Sequence, residues 1–132
     1  MRTFTAAAAL AANVAFADHY FDGIERLHLR FNPDNHFKVM QLTDLHFGEP
    51  SQTKLDSETL HMITSLINKE KPDFIAVTGD IVSGQAWDHT SKRFWETHWH
   101  FLAETLSNLS VPWAIVPGFH DFETDINAVQ ML

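Results

Sequence analysis

Hydrophobic and polar positions along this chain follow two different periods in turn. From Ile24 to Phe31 they alternate, with Leu27, Leu29 and Phe31 on one side and Arg26, His28 and Arg30 on the other. That period of two predicts a half-exposed strand. Asn32-Pro33-Asp34-Asn35 is a turn cluster, and the run Phe37 to Leu42 beyond it reads as the strand's hairpin partner. A helix follows, capped by Asp56 or Ser57, with Leu55, Met62, Ile63, Leu66 and Ile67 near one face. Lys69 and Lys71 suit its C-terminal end and Pro72 stops it. Asp73 to Thr78 is a short apolar run of the kind a fully covered strand shows.

The helical period returns from about Ser91 to Leu109, where Phe94, Trp95, His98, Trp99, Leu102, Thr105, Leu106 and Leu109 keep a three-to-four spacing. Pro112 to Val116 is a third apolar strand, and Asp121 to Leu132 begins another segment that is polar and then apolar. Short connections and right-handed crossovers turn this order into a βαβαβ unit, an α/β fold with a parallel sheet and helices against it. Trp87, Trp95, Trp99 and Trp113 fall where rings pack between layers, a better account of them than a sugar-binding platform.

The N-terminus follows another logic. Met1-Arg2 is followed by an apolar run from Ala6 to Ala17, broken only by Asn13, and ends in the small-x-small triplet Ala15-Phe16-Ala17. The run is shorter than the roughly 20 apolar residues that span a bilayer. It reads as a secretory leader over residues 1–17, with an Ala-rich N-terminal helix as the alternative. A cleaved leader predicts a secreted or endomembrane-lumen protein; an uncleaved one, a cytoplasmic protein. Residues 18–132 are then one folding unit or part of one, with no repeat, heptad run or Gly/Ser-rich linker.

Composition narrows the chemistry. The chain carries 17 acidic against 9 basic side chains, a net charge of −8, which argues against a nucleic-acid partner. With no cysteine, disulfide scaffolds, thiolate metal sites and thiol nucleophiles are excluded. Nine histidines supply the ligand type that transition metals favour when thiolates are absent.

Each predicted strand stops at reactive residues. Thr43-Asp44-Leu45-His46 follows the first, Thr78-Gly79-Asp80 the second, and Pro117-Gly118-Phe119-His120-Asp121 the third. Parallel sheets bind ligands at the carboxyl ends of their strands, so the three loops should share one crevice. Asp44 and His46, two apart just past a strand, can turn toward one ion, and oxygen with imidazole suits Mn, Fe or Zn better than Ca or Mg. Asp80 could bridge two such cations. Asp-x-His or Gly-Asp alone is a common accident or a turn; their recurrence at successive strand ends is the signal.

Asp44-x-His46, Gly79-Asp80 and Gly118-Phe119-His120-Asp121 resemble the first three signature blocks of the calcineurin-like metallophosphoesterases. The contexts Gln41 to His46, Lys71 to Asp80 and Val111 to Gly118 match as well, and the overall look is similar to the purple-acid-phosphatase-related branch. The resemblance runs from about Phe37 to Asp125. It implies the first half of a four-layer α/β-β/α sandwich and a phosphatase that hydrolyses phosphate esters through a hydroxide bridging two transition-metal cations (Mn, Fe or Zn). Asp44 and His46 would hold the first metal and Asp80 would bridge to the second. His120 would not ligate but would face the substrate, stabilising the phosphoryl group or protonating the leaving oxygen.

Two departures from the family pattern bear on activity. The family's Asn, whose carbonyl oxygen ligates the second metal, is replaced by Phe119, which offers no donor and could fill the ion's space. The family's later Gly-His-x-His-like blocks are not reached before Leu132, so the chain reads as a truncated N-terminal part that binds at most one metal and is weakly active or inactive. His89, His98 and His100 do not replace them: His98 and His100, two apart on a helix, point roughly 200° apart. Ser83 stands where purple enzymes place a ligating tyrosine, so a purple site is not expected. The alternative is a catalytically dead pseudophosphatase acting as a binding module. A half sandwich should also expose apolar surface and self-associate.

Overall fold

A computed structural model of the chain describes residues 29–50, 53–127 and 130. The expected leader and residues 24–28 of the expected first strand lie outside these residues. Three strands, β1 (Val39–Leu42), β2 (Phe74–Thr78) and β3 (Trp113–Val116), form one sheet in the order β1-β2-β3. Both pairings are parallel. The crossovers are α1 (Thr53–Glu70) and α2 (Phe94–Asn108), with short 3₁₀ turns at Gly84–Ala86 and His120–Glu123. The observed architecture is the expected βαβαβ unit.

Register explains which residues make the core. Met40 lies beside Ile75 and Trp113, and Leu42 beside Val77 and Ile115, so these six side chains share one face of the sheet. That face meets Ile63 and Ile67 from α1 and Trp95, Leu102 and Leu106 from α2 in a single apolar cluster. Fully burying one such aliphatic side chain contributes about 1.5–3 kcal/mol. Trp95 stacks on Trp99 at 6.0 Å, and Trp99 meets Trp113 edge-on at 5.9 Å, joining α2 to β3. These three rings pack between layers as expected; Trp87 does not join them, its ring meeting His89 and its Nε1 donating to the Ser91 carbonyl. The opposite face carries Val39, Gln41, Thr78, Ala114 and Val116, all exposed.

Three local expectations are revised. Residues 29–31 are in no strand; the chain folds into a local turn instead, with Asn32 and His36 joined through backbone and side chain and Phe31 against Phe37 at 5.9 Å. Helix α1 begins at Thr53, before Asp56, and the Asp56 carboxylate accepts the Gly48 N–H rather than capping its own helix. The inward stripe of α1 holds Leu60, Ile63 and Ile67, whereas Leu55, Met62 and Leu66 are turned outward. Periodicity placed Leu55, Met62, Ile63, Leu66 and Ile67 near one face, but the sheet covers only one edge of that arc. At its far end α1 stops as expected, with Lys71 in the left-handed conformation (φ 49°), its N–H on the Ile67 carbonyl, before Pro72.

Candidate metal centre

Pairing between β1 and β2 does not end with the strands. The Asp44 N–H donates to the Gly79 carbonyl at 3.1 Å, His46 to Asp80 at 3.1 Å and Phe47 to Ile81 at 2.9 Å. This ladder carries the two loops side by side beyond the sheet. On it, Asp44, His46 and Asp80 take positive φ values of 54°, 48° and 50°. Left-handed backbone costs a non-glycine residue about 1–2 kcal/mol, although Asp and His tolerate it better than most. Strain of this kind persists where neighbouring bonds over-determine the backbone, as this ladder does.

The result is one cluster: a ligand atom from each of Asp44, His46 and Asp80 lies within 4.8 Å of the other two. His46 Nε2 and Asp44 Oδ1 are 4.0 Å apart. Transition-metal bonds to such donors are about 2.0–2.2 Å, so two donors on one ion stand no more than about 4.4 Å apart. Side-chain rotation of a few tenths of an ångström closes the difference. Two carboxylates and an imidazole, partly open to solvent, fit Mn, Fe or Zn in chemistry as well as in spacing. Asp44 is oriented by the Thr43 hydroxyl, which lies 2.7 Å from Oδ2. Asp80 is oriented by the backbone N–H of His120, which donates to Oδ1 at 2.9 Å.

His120 stands next to this cluster. Its ring lies 5.4 Å from that of His46, and its Nδ1 is 2.6 Å from Glu123 Oε2. The bond to Glu123, aided by the charges of Asp80, Glu123 and Asp121 and opposed by desolvation, raises the imidazole above its ordinary pKa. Nδ1 is thus committed, and Nε2 is the nitrogen left for a ligand. Phe119 precedes it with a ring that is 71% exposed and edge-on to His120 at 5.5 Å. The ring therefore stands largely in solvent and offers no donor.

The remaining residues sort out clearly. His98 lies under Gly48, where any Cβ would meet its ring at 2.8 Å; burial lowers its pKa, with Asp56 opposing. His100 faces Glu104, and His89 rests on Trp87. None of the three joins the cluster. Ser83 is buried, and its hydroxyl donates to Glu49. One residue was not anticipated from sequence: Asp121, fully buried, whose carboxylate accepts the N–H groups of Ile81, Val82 and Gly118. Its place in the motif after β3 gives no sign that its bonds reach the loop after β2.

The family model of the calcineurin-like phosphoesterases matches residues 37–130. The chain is 32% identical over 118 residues to "Probable inactive purple acid phosphatase 28" of Arabidopsis thaliana, an alignment covering 80% of this chain and 28% of that protein. It is 29% identical over 119 residues to "Probable inactive purple acid phosphatase 14" of the same plant, covering 81% and 29%. Against "Phosphatase DCR2" of Saccharomyces cerevisiae the identity is 27% over 114 residues, covering 78% and 19%. The chain thus spans less than a third of the length of these curated relatives. No solved structure matches it significantly.

Proposed function

This chain belongs to the calcineurin-like phosphoesterase family, and from that premise we propose that it carries the N-terminal ligand set of a metal-dependent phosphomonoesterase. The observation that supports the reading is the convergence of Asp44, His46 and Asp80, from the ends of two adjacent parallel strands, within 4.8 Å. A bound Mn, Fe or Zn ion would supply Lewis-acid charge to the phosphoryl oxygens and acidify a water. The chain's own residues do the rest. Asp44, His46 and Asp80 hold the ion; Thr43 and the His120 backbone fix the two carboxylates. His120, steadied at Nδ1 by Glu123, presents Nε2 to the phosphoryl group or the leaving oxygen as a hydrogen-bond donor. The bond to Glu123 raises the imidazole pKa of the metal-free chain.

Phe119 favours a second reading, a pseudophosphatase that binds a phosphate ligand without turnover, because the position contributes no oxygen toward a second ion. Two of its Arabidopsis relatives carry the name "Probable inactive purple acid phosphatase". A cleaved leader, if residues 1–17 serve as one, would place either form in the secretory lumen or outside the cell. Titrating the chain with Mn(II), read by electron paramagnetic resonance, tests the ligand set. One equivalent should bind, and Asp80→Ala should abolish it; an unchanged free-Mn signal in the wild type would overturn the reading. Hydrolysis of p-nitrophenyl phosphate should stay near background, and robust turnover would overturn the second reading.

A further inference from the structure

We propose that Asp121 is a positioning residue that sets Asp80 and His120 relative to each other. The inference rests on the reading of Asp44, His46 and Asp80 as a metal centre. Asp121 touches neither ion nor substrate, being fully buried. Its Oδ1 accepts two backbone N–H groups, from Ile81 and Val82, both at 2.9 Å, and its Oδ2 accepts that of Gly118 at 2.7 Å. The donors come from both loops that frame the site: Ile81 and Val82 directly follow Asp80, and Gly118 lies two residues before His120.

The link runs in both directions. Asp121, on the loop after β3, holds the backbone after β2; Asp80, on the loop after β2, holds the His120 N–H of the loop after β3. Each carboxylate fixes the other's main chain, so neither loop can shift without breaking charge-assisted bonds in both. The bend carrying Asp121 is itself fixed, because the Thr124 hydroxyl donates to the Asp121 carbonyl at 2.8 Å.

The chemistry of the acceptor explains why a carboxylate is there. A buried charge is costly unless its lone pairs are met, and three amide donors meet them. Asparagine has one acceptor oxygen, so it can serve the Ile81–Val82 side or the Gly118 side but not both; its NH₂ would then face an N–H. An apolar group in its place would leave three buried N–H donors unpaired, so Asp121 contributes to stability as well. A carboxylate that spans both loops also acts on the ligand geometry.

Mn(II) affinity, read by electron paramagnetic resonance on the whole chain, separates these roles. Asp121→Asn should weaken Mn binding by about tenfold to a hundredfold, the usual effect of removing a partner behind a metal ligand. Leu106→Ala, a core change on α2 outside both loops, should lower the melting temperature and leave Mn affinity unchanged. A folded Asp121→Asn chain with wild-type affinity overturns the inference, as does Leu106→Ala weakening Mn to the same degree. If circular dichroism shows Asp121→Asn to be unfolded, Thr124→Val takes its place, with a smaller loss of affinity expected and no loss overturning the proposal. Absence of binding to the wild type is a different result, which removes the metal-centre reading and this inference with it.

Discussion

Gly79 and Gly118 pass so closely that a Cβ on Gly79 would lie 2.7 Å from the Gly118 Cα. Gly79 also has a φ of +95°, where a side chain is strained whatever the space. A Cβ on Gly118 would overlap both the Asp80 carboxylate and its backbone nitrogen. Main chain meets main chain here, so the contact cannot be relieved by rotating a side chain.

Gly118→Ala should therefore displace Asp80 rather than merely loosen the fold. The expected outcome is a stability loss of about 1–3 kcal/mol, typical of overpacking, together with weaker Mn(II) binding. Thermal unfolding and metal titration of the same sample check both. A variant that is destabilised but binds Mn normally would show that the Asp80 side chain does not depend on this approach.

Phe119→Asn should be well tolerated, because the ring is 71% exposed and surface changes of this kind usually stay within about 0.5 kcal/mol. It restores a carbonyl oxygen beside His120. In a protein spanning the relatives' full length, p-nitrophenyl phosphate turnover and metal stoichiometry should both rise. No rise in either would show that Phe119 does not limit metal binding or turnover.

The His120–Glu123 pair sets a pH dependence whose sign follows from the raised imidazole pKa, due first to the bond with Glu123. A group whose folded pKa exceeds its unfolded value of about 6.5 contributes fully below that value. Its contribution fades as pH rises through the folded value. With metal removed by chelation, Glu123→Gln should move the His120 titration, followed by NMR of the ring protons, to lower pH. The decline in stability above about pH 6.5 should flatten in the same variant. An unmoved titration would show that Glu123 does not hold the proton on His120.

Much of this architecture could be read from the chain because its signals are local. Alternating strands and helices announce themselves by period, and Asp44, His46 and Asp80 lie within a few residues of strand ends that the apolar runs of β1 and β2 mark. What stayed hidden depends on chain segments far apart. Asp121 bonds to Ile81 and Val82 across 40 and 39 positions, and nothing near Asp121 reports that separation. The positive φ values at Asp44, His46 and Asp80 arise from a ladder between loops. On α1, periodicity grouped Leu55, Met62 and Leu66 with Ile63 and Ile67, but only contact with the sheet decides which edge of that arc is covered. Of the first predicted strand, residues 29–31 are in no strand: Phe31 packs on Phe37 beside a turn closed by Asn32 and His36, a contact no alternation reports.

The exposed sheet face predicts how the chain behaves in solution. Parallel sheets are almost always covered on both faces, yet Val39 and Val116 are 53% and 63% exposed on the face away from the helices. Gln41 Nε2 donates to Thr78 Oγ1 on that face at 2.8 Å, so its central polar groups are already paired to each other and oppose contact little. A second apolar surface, the Leu55, Met62 and Leu66 stripe on α1, is a natural control. Sedimentation velocity should show concentration-dependent association of the wild type. Val39→Lys with Val116→Lys should shift it toward monomer, since two charges on a face that pairs with a copy of itself repel, whereas Met62→Lys should not. Association lost only with Met62→Lys would move the contact to α1, and a wild type that stays monomeric at every concentration would show that the bare face is tolerated by water.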